Sequence, residues 1–314
     1  MKSPPATEVL RVTFWGVRGS IPVPGAHTAR YGGETLCIGV EVPAAGRLLV
    51  LDAGSGLRRL GEALVRRSGG DGGIAVDLLL SHTHLDHILG FPFFRPLYRR
   101  DTRVTLYGPA ISLQDRLEEV IGGQMSYRYF PVRQVELAAD VTYVDWREGT
   151  YDLGDGILVS AAYLNHPLLC LGYRIACSGR VLCTAFDHEP FRNVFVTDPA
   201  DPRYDELMAR EGEAAAAAAE ARLSAFFRGA DLLIHDGQYT EEEYLAGRVG
   251  WGHSPIEGAI RTAAAAGVRR LALVHHDPGR SDAELARLEA RLGGGREPGG
   301  PEVIFAREGQ VVSL

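Results

Sequence analysis

Short apolar runs bounded by polar or glycine-containing turns recur along the chain, and longer segments between them carry apolar residues at helical spacing. Runs of this length favour buried strands, whereas apolar residues three and four positions apart favour amphipathic helices. We predict strands at residues 9–15, 35–42, 47–52, 74–80, 103–107, 141–144, 157–164, 171–176, 180–185, 231–235, 270–274 and 303–306. We predict helices at residues 57–67, 111–121, 211–227, 255–265 and 281–292, the last with Ser281 as its N-cap. This alternation indicates an α/β protein.

The length of 314 residues and the hydrophobic content of 46% suffice for one large core. We interpret residues 1–314 as a single hydrolase domain, of which residues 1–8 are a polar leader. Residues 192–209 are polar and rich in proline and aspartate, which is typical of a loop or an insertion. With the alanine-rich helix that follows, residues 191–227 form the predicted insertion, and Leu223, Phe226 and Phe227 would anchor that helix.

The overall charge bears on which partner or substrate the protein can bind. A net charge of −7 at pH 7 argues against a protein that holds long nucleic acid through its overall charge and favours a small substrate. The N-terminus has no apolar signal segment and no apolar run approaches the length of a membrane span, so we expect a cytoplasmic protein without a membrane partner. The four cysteines show no paired spacing, which predicts reduced, partly buried thiols. A homodimer is left open.

Four candidate metal ligands lie within six residues directly after the apolar run at 74–80. They are His82, His84, Asp86 and His87. A loop that leaves a buried strand can direct such side chains to a common point, and a mixture of imidazole and carboxylate suits zinc, manganese or iron. The alternative is a histidine-rich surface loop, or a helix cap in which Asp86 receives backbone N–H groups.

Histidines also follow several later strands, which a scattered set of core histidines would not do. A two-metal site needs about six to eight protein ligands and an anionic group between the ions. We assign the first ion to His82, His84 and His166, and the second to Asp86, His87 and His275. Asp187, which follows the strand at 180–185, would bridge both ions. We expect His188 and His235 to lie in the core or behind the ligands.

The order of these residues resembles the metallo-β-lactamase superfamily over nearly the whole chain. Its HxHxDH signature is matched by His82, His84, Asp86 and His87, and its later ligands are matched in order by His166, Asp187 and His275. Ile234-His235-Asp236 followed by Gly252-His253-Ser254 is similar to the phosphodiesterase and tRNase Z-like branch. The resemblance implies a four-layer αββα sandwich with a dinuclear metal site at the sheet edge. It also favours His275 over the adjacent His276, which spacing alone leaves open.

Two departures from that superfamily bear on function. The secreted antibiotic-hydrolysing members carry an export signal and have Cys or Ser at the bridging position, where this chain has Asp187. The processors of long tRNA precursors carry a protruding basic arm, and no lysine-rich segment of that kind occurs here. Both departures favour a small phosphodiester over an antibiotic or a long RNA.

We therefore expect a phosphodiesterase that acts on small nucleotide-like diesters, cyclic ones included, through a hydroxide that bridges two divalent ions, with zinc favoured over manganese or iron. Asp86 serves the reaction as a ligand, and His253, oriented by Asp236, would protonate the leaving oxygen. His253 could instead cap the helix at 255–265. Tyr127, Tyr129 and Phe130 could cover a base or belong to the core. The alternative function is a thioester or lactone hydrolase, and an RNA-processing nuclease or a di-iron redox protein ranks lower.

Overall fold

The computed structural model describes residues 8–69, 72–109, 116–293 and 300–314. Within them the strands are β1 (Arg11–Gly16), β2 (Cys37–Val42), β3 (Arg47–Leu51), β4 (Ile74–Leu79), β5 (Thr102–Pro109), β6 (Asp140–Trp146), β7 (Gly149–Asp152), β8 (Ile157–Tyr163), β9 (Leu171–Cys177), β10 (Arg180–Ala185), β11 (Leu232–Asp236), β12 (Arg270–Val274), β13 (Glu302–Phe305) and β14 (Val311–Ser313). The helices are α1 (Gly56–Arg67), α2 (Leu85–Ile88), α3 (Leu117–Gly123), α4 (Glu206–Phe227), α5 (Glu241–Leu245), α6 (Ile256–Ala265) and α7 (Asp282–Leu292).

The strands form two seven-stranded sheets, in the orders β14-β1-β2-β3-β4-β5-β6 and β13-β12-β11-β10-β9-β8-β7. In the first sheet β3, β4, β5 and β6 run parallel to one another, as do β10, β11, β12 and β13 in the second. In the second sheet the register pairs Ala185 with His235, and Asp236 with Val274. The residues that follow these strands therefore emerge side by side at the carboxyl edge of the sheet, where ligands bind in open α/β sheets.

Side chains on opposite faces of the first sheet belong to two different hydrophobic clusters. Leu79 of β4 lies in a cluster between the sheets with Phe14, Tyr173 and Ile234. Its neighbour Leu78 points the other way, because side chains alternate along a strand, and packs with residues of α1.

The second sheet is covered on its outer face by α4, α6 and α7, through residues such as Leu223, Ala259 and Leu285. The order of layers is thus helix, sheet, sheet, helix. The expected αββα sandwich is confirmed.

Most of the predicted elements are present, with differences at weak or short signals. Residues 206–209, which we interpreted as loop, are the first turn of α4, because Asp205 caps it by accepting a hydrogen bond from the Met208 N–H. That interpretation was wrong. The short elements β7, α5 and β14 were missed. Within the predicted helix at 111–121, residues 111–115 lie outside the described residues, and the helix present is α3.

The remaining expectations about organisation have different outcomes. Residues 1–7 of the predicted leader lie outside the described residues. The four cysteines are free and buried, as expected. In the part of the chain that the structure describes, no helix combines the length and the apolar composition that a membrane crossing requires. The single domain with an insertion stays a prediction.

Candidate metal centre

The loop after β4 places His82 in the buried part of the site. The His82 side chain is fully buried, and its Nδ1 lies 3.0 Å from the Ser81 hydroxyl oxygen. Ser81 in turn donates its N–H and its hydroxyl to the carboxylate of Asp52. Because Nδ1 is engaged by Ser81, Nε2 of His82 is the nitrogen that turns toward Asp187, at 3.5 Å from its Oδ2.

Asp86 and His87 lie on the single turn of α2, and the ring of His87 contacts that of His82, with 4.2 Å between the centroids. Nδ1 of His87 lies 2.7 Å from Oδ2 of Asp52, a residue at the end of β3 with a φ of 60°. An imidazole that donates from Nδ1 to a carboxylate keeps a lone pair on Nε2, which is the arrangement found in metal ligands. Asp86 is held by the Ser20 N–H, which donates to Oδ2 at 2.7 Å.

Asp187 follows β10 and stands between two groups of imidazoles. Its Oδ1 lies 3.2 Å from Nε2 of His87 and 3.3 Å from Nε2 of His275. Its Oδ2 lies 3.5 Å from Nε2 of His82 and 3.8 Å from Nε2 of His166. One carboxylate oxygen therefore faces each group, which is the geometry that a bridging ligand requires.

His166 reaches the cluster from the loop after β8. Its Nδ1 donates to the Gly252 carbonyl at 3.0 Å, and its Nε2 lies 3.1 Å from Nδ1 of His84. Gly252 has a φ of +85°, and a Cβ there would lie 2.5 Å from Nδ1 of His166. Only glycine fits both the backbone angle and the space, so the turn before His253 is shaped around His166.

The side chains of the two adjacent histidines after β12 point to different places. His275 has a φ of 58°, its Nδ1 lies 3.0 Å from Oε1 of Gln238, and its Nε2 lies 3.2 Å from Oδ2 of Asp86. His276 points away, and its Nε2 donates to the Ala306 carbonyl at 2.9 Å beside the Phe305 ring. The structure thus brings His275 into the cluster and leaves His276 in the core.

The protonation states suit a cation site. Burial would raise the pKa of Asp187, but the imidazoles of His275, His87 and His82 hold that pKa well below its usual range. Burial likewise opposes ionisation of Asp86, and His87 and His275 lower its pKa in spite of it. Both carboxylates are therefore ionised at neutral pH.

Among the imidazoles, burial lowers the pKa of the three that we assign to the first ion, so that they are neutral, which is the form that binds metal. These three are His82, His84 and His166. His87 differs: burial would lower its pKa, but the carboxylates of Asp187, Asp86 and Asp52 raise it well above its usual value. A cation in place of that proton would balance the same carboxylates.

The residues present fit divalent metals. Three groups of ligand atoms, each within 4.8 Å of one another, occur among the described residues. Two match the predicted ions, namely His82, His84, His166 and Asp187, and Asp86, His87 and His275; the third is Asp187, His253 and His275. Within the described residues, the buried atoms Nε2 of His82, Nε2 of His87 and Oδ1 of Asp187 have no hydrogen-bond partner. Leaving three buried polar atoms unpaired is costly, and one cation in each group would together satisfy all three. Nitrogen and oxygen ligands of this kind suit zinc, manganese or iron.

His253 stands at the edge of this cluster and is held from behind by Asp236. Its ring stacks on His275 at 4.7 Å, and its Nδ1 lies 2.9 Å from Oδ2 of Asp236. Asp236 is fully buried and also accepts the N–H groups of Gln238 and Ser254. Burial would lower the pKa of His253, but the Asp236 carboxylate raises it to about 9. The N-cap of α6 is Pro255 and no side chain caps it, so His253 does not have the capping role.

Three residues that support the cluster were missed from the sequence. Asp52 orients His87, Gln238 orients His275, and Glu189 accepts the Gly252 N–H at 2.8 Å. Asp52 and Gln238 follow β3 and β11, so their position after a strand, the same signal that identified Asp187, could have found them.

The other expected residues lie outside the cluster. Nδ1 of His188 accepts the Asn165 N–H, and Nδ1 of His235 contacts the Asp236 carbonyl. Phe130 packs edge-on against Phe93. The tyrosines Tyr127 and Tyr129 are exposed.

Comparison with known proteins gives a family match and relatives that cover most of the chain. A family model described as a beta-lactamase superfamily domain matches residues 47–193 and 214–276. The chain is 26% identical over 328 residues to the ribonuclease Z of Haloarcula marismortui, a similarity that covers 96% of this chain and 95% of that protein.

Solved structures share the fold at lower identity. A new diphosphatase from the PhnP family has a TM-score of 0.61 at 16% identity, over 97% of this chain and 98% of that one. The Zn²⁺-bound PqqB from Methylobacterium extorquens has a TM-score of 0.60 at 19% identity, over 97% of this chain and 100% of that one.

Proposed function

This chain belongs to the beta-lactamase superfamily of metal-dependent hydrolases, and we propose that it hydrolyses small nucleotide-like phosphodiesters, cyclic ones included. The observation that carries the proposal is the Asp236–His253 pair beside the two ligand groups. Hydrolysis of a phosphodiester expels a poor alkoxide leaving group, which needs a proton donor, whereas a thioester expels a thiolate that needs none. The relatives named ribonuclease Z and diphosphatase support the same reaction class.

The cluster would hold two divalent ions. His82, His84 and His166 would bind the first, Asp86, His87 and His275 the second, and Asp187 both. When bound, such ions supply positive charge for the phosphate and a nucleophile from water at neutral pH. We favour zinc, with manganese and iron as alternatives, and the Zn²⁺-bound neighbour supports that choice. Asp52 and Gln238 contribute by fixing the rings of His87 and His275, so that Nε2 of each faces the centre.

His253 would move the proton. Its Nδ1 donates to Asp236, and in the described part of the chain its Nε2 has no hydrogen-bond partner. Nε2 is therefore the atom that can donate a proton to the leaving oxygen. Asp236 keeps the ring in place and stabilises its charged form, as a carboxylate commonly does for a catalytic imidazole.

Two other substrates follow from specific observations. From the overall charge we expect that long nucleic acid is not a substrate. The similarity to proteins named ribonuclease Z does not support that expectation. RNA is therefore the second candidate substrate. A thioester or lactone hydrolase would use the same ligands. The thiolate of a thioester would leave His253 without a chemical role, whereas the alkoxide of a lactone would still accept its proton. A cytoplasmic location stays a prediction, and whether the protein forms a homodimer stays open.

The test is turnover of a matched panel by protein loaded with zinc, manganese or iron, with the metal content measured on the same sample. The panel consists of a cyclic nucleotide, a dinucleoside monophosphate, single-stranded RNA, a thioester and a lactone. We expect the two small diesters to be hydrolysed with the highest kcat/KM by protein holding two ions per chain. Faster turnover of the thioester or the lactone would overturn the proposal, and faster turnover of RNA would make the second candidate the substrate.

A further inference from the structure

A cavity of about 380 Å³ is lined in part by Tyr239, a neighbour of His253. Its wall includes Tyr239, Glu243, Arg248, Asp277 and Arg280. Tyr239 connects it to the site, because its ring lies edge-on to the His253 ring with 6.2 Å between the centroids. The volume is within the range of small-molecule sites, about 300–1,000 Å³. A substituent on the leaving oxygen would therefore pass His253 and enter this cavity.

The wall of the cavity includes Arg248, whose planar guanidinium lies over the ring of Trp251, and we call this pair the Arg248–Trp251 stack. The guanidinium carbon of Arg248 lies 4.5 Å from the ring centroid of Trp251 and 5.9 Å from that of Tyr239. Trp251 is 55% exposed although it lies next to the turn that supports His166. Among the described residues the Arg248 side chain makes no ion pair, so no carboxylate neutralises its charge. Guanidinium planes and aromatic rings are surfaces on which nucleobases stack.

The charges of the cavity favour a neutral base over a second phosphate. Three carboxylates line it, those of Glu243, Asp277 and Glu284, against two guanidinium groups. Arg280 is already paired with Glu243 at 2.7 Å, and Asp277 accepts the Gly279 N–H with Oδ1 only. An additional phosphate would face this excess of negative charge, whereas the N–H edge of a base could donate to the free oxygen of Asp277.

The wall is held in place before a substrate arrives. Oε1 of Glu189 accepts the Tyr244 hydroxyl and the Gly250 N–H, each at 2.7 Å, and Oε2 accepts the Gly252 N–H at 2.8 Å. Glu189 is 4% exposed. A buried carboxylate thus fixes both sides of the segment that carries Arg248 and Trp251, which lowers the entropy lost when a ligand stacks on it.

We propose that the Arg248–Trp251 stack binds the nucleobase of the leaving nucleoside and makes the enzyme selective for diesters that carry a base there. The inference rests on the proposed phosphodiesterase activity. Arg248 supplies the stacking plane, Trp251 positions it, and Asp277 accepts from the N–H edge of the base.

The test compares two substrates that differ in one feature: a dinucleoside monophosphate with a guanine on the leaving nucleoside, and the same diester in which that nucleoside is abasic. The ratio of their kcat/KM values measures recognition of the base. We expect a ratio of roughly 10 or more for the wild-type holoenzyme, the size of one stacked base. Arg248→Ala and Trp251→Ala should each bring the ratio close to one, mainly through KM of the base-containing substrate.

Arg248→Lys separates stacking from charge, because lysine keeps the cation and loses the plane. We expect the lysine variant to lose the ratio as the alanine variant does. Arg103→Ala, at an exposed arginine in a surface pair with Asp140, is the matched control and should keep the wild-type ratio. A wild-type ratio near one, a ratio retained in Arg248→Lys, or a loss in Arg103→Ala equal to that in Arg248→Ala would overturn the inference. Failure to hydrolyse either diester would instead reject the proposed function.

Discussion

The carboxylate of Asp52 and the imidazole of His87 form a buried pair, with 2.7 Å between Oδ2 and Nδ1, although the two residues are 35 positions apart in the chain. The contact exists because β3 and β4 are parallel neighbours, so that the residues following them emerge at the same edge. Its consequence is that His87 presents Nε2, and only Nε2, to the metal centre.

We expect Asp52→Ala to weaken metal binding by about 10- to 100-fold, the usual effect of removing a carboxylate that orients a histidine ligand. Competition with a chelator on the purified protein measures this loss. Asp52→Asn keeps one acceptor oxygen and should lose less. Asp140→Ala, at an exposed aspartate in a surface pair with Arg103, is the control. Equal metal affinity in Asp52→Ala and the wild type would show that His87 needs no such partner.

The residues of the cluster could be predicted from the sequence because each carries a local signal. His82, His84, Asp86 and His87 share one loop, and Asp187 and His275 follow strands whose apolar pattern is plain. Of the supporting residues, Asp52 and Gln238 also follow strands, but Glu189 carries no such signal, since its contact with Gly252 depends on how two distant loops pack. Likewise, the positive φ of His275 decides which of the two adjacent histidines enters the cluster. The sequence gives no sign of that φ, because the residue is not a glycine.

Glu189→Gln tests the support of the turn before His253. The glutamine has one acceptor oxygen, whereas the two oxygens of Glu189 accept three hydrogen bonds. We expect a loss of about 1–3 kcal/mol in the free energy of unfolding, because a buried donor is left unpaired. Denaturant unfolding of the metal-free protein measures it. The exposed Glu213→Gln on α4 should be neutral, and a neutral Glu189→Gln would refute the support that we assign to this carboxylate.

Asp187→Ala should lose at least one metal equivalent and most of the activity. Its two oxygens face different groups of imidazoles, so its removal leaves about one positive charge uncompensated between two cations. Metal analysis together with turnover of a phosphodiester checks both parts. Two retained ions with normal turnover would exclude Asp187 as the bridging ligand.

The two adjacent histidines should give opposite defects. His275→Ala removes a ligand atom 3.2 Å from Asp86 and should weaken metal binding while the metal-free protein keeps its melting temperature. His276→Ala removes a buried ring that donates to the Ala306 carbonyl, and should lower the melting temperature with less effect on metal affinity. Metal titration and thermal unfolding of both variants decide the matter, and the reverse pattern would exchange their roles.

The last prediction concerns His253, whose proposed role depends on the leaving group. If Nε2 protonates the leaving oxygen, His253→Ala should keep both metal ions and lower kcat by roughly 10²- to 10⁴-fold on a diester with an alkoxide leaving group. A nitrophenolate leaves without a proton, so the defect on a nitrophenyl diester should be much smaller. Asp236→Asn should show the same pattern more weakly, because it loosens the ring that Asp236 holds at 2.9 Å without deleting it. Measuring kcat for both substrates in both variants gives the comparison. Equal losses on the two substrates with metals retained would mean that His253 binds phosphate or supports His275, on which it stacks, and does not act as the acid.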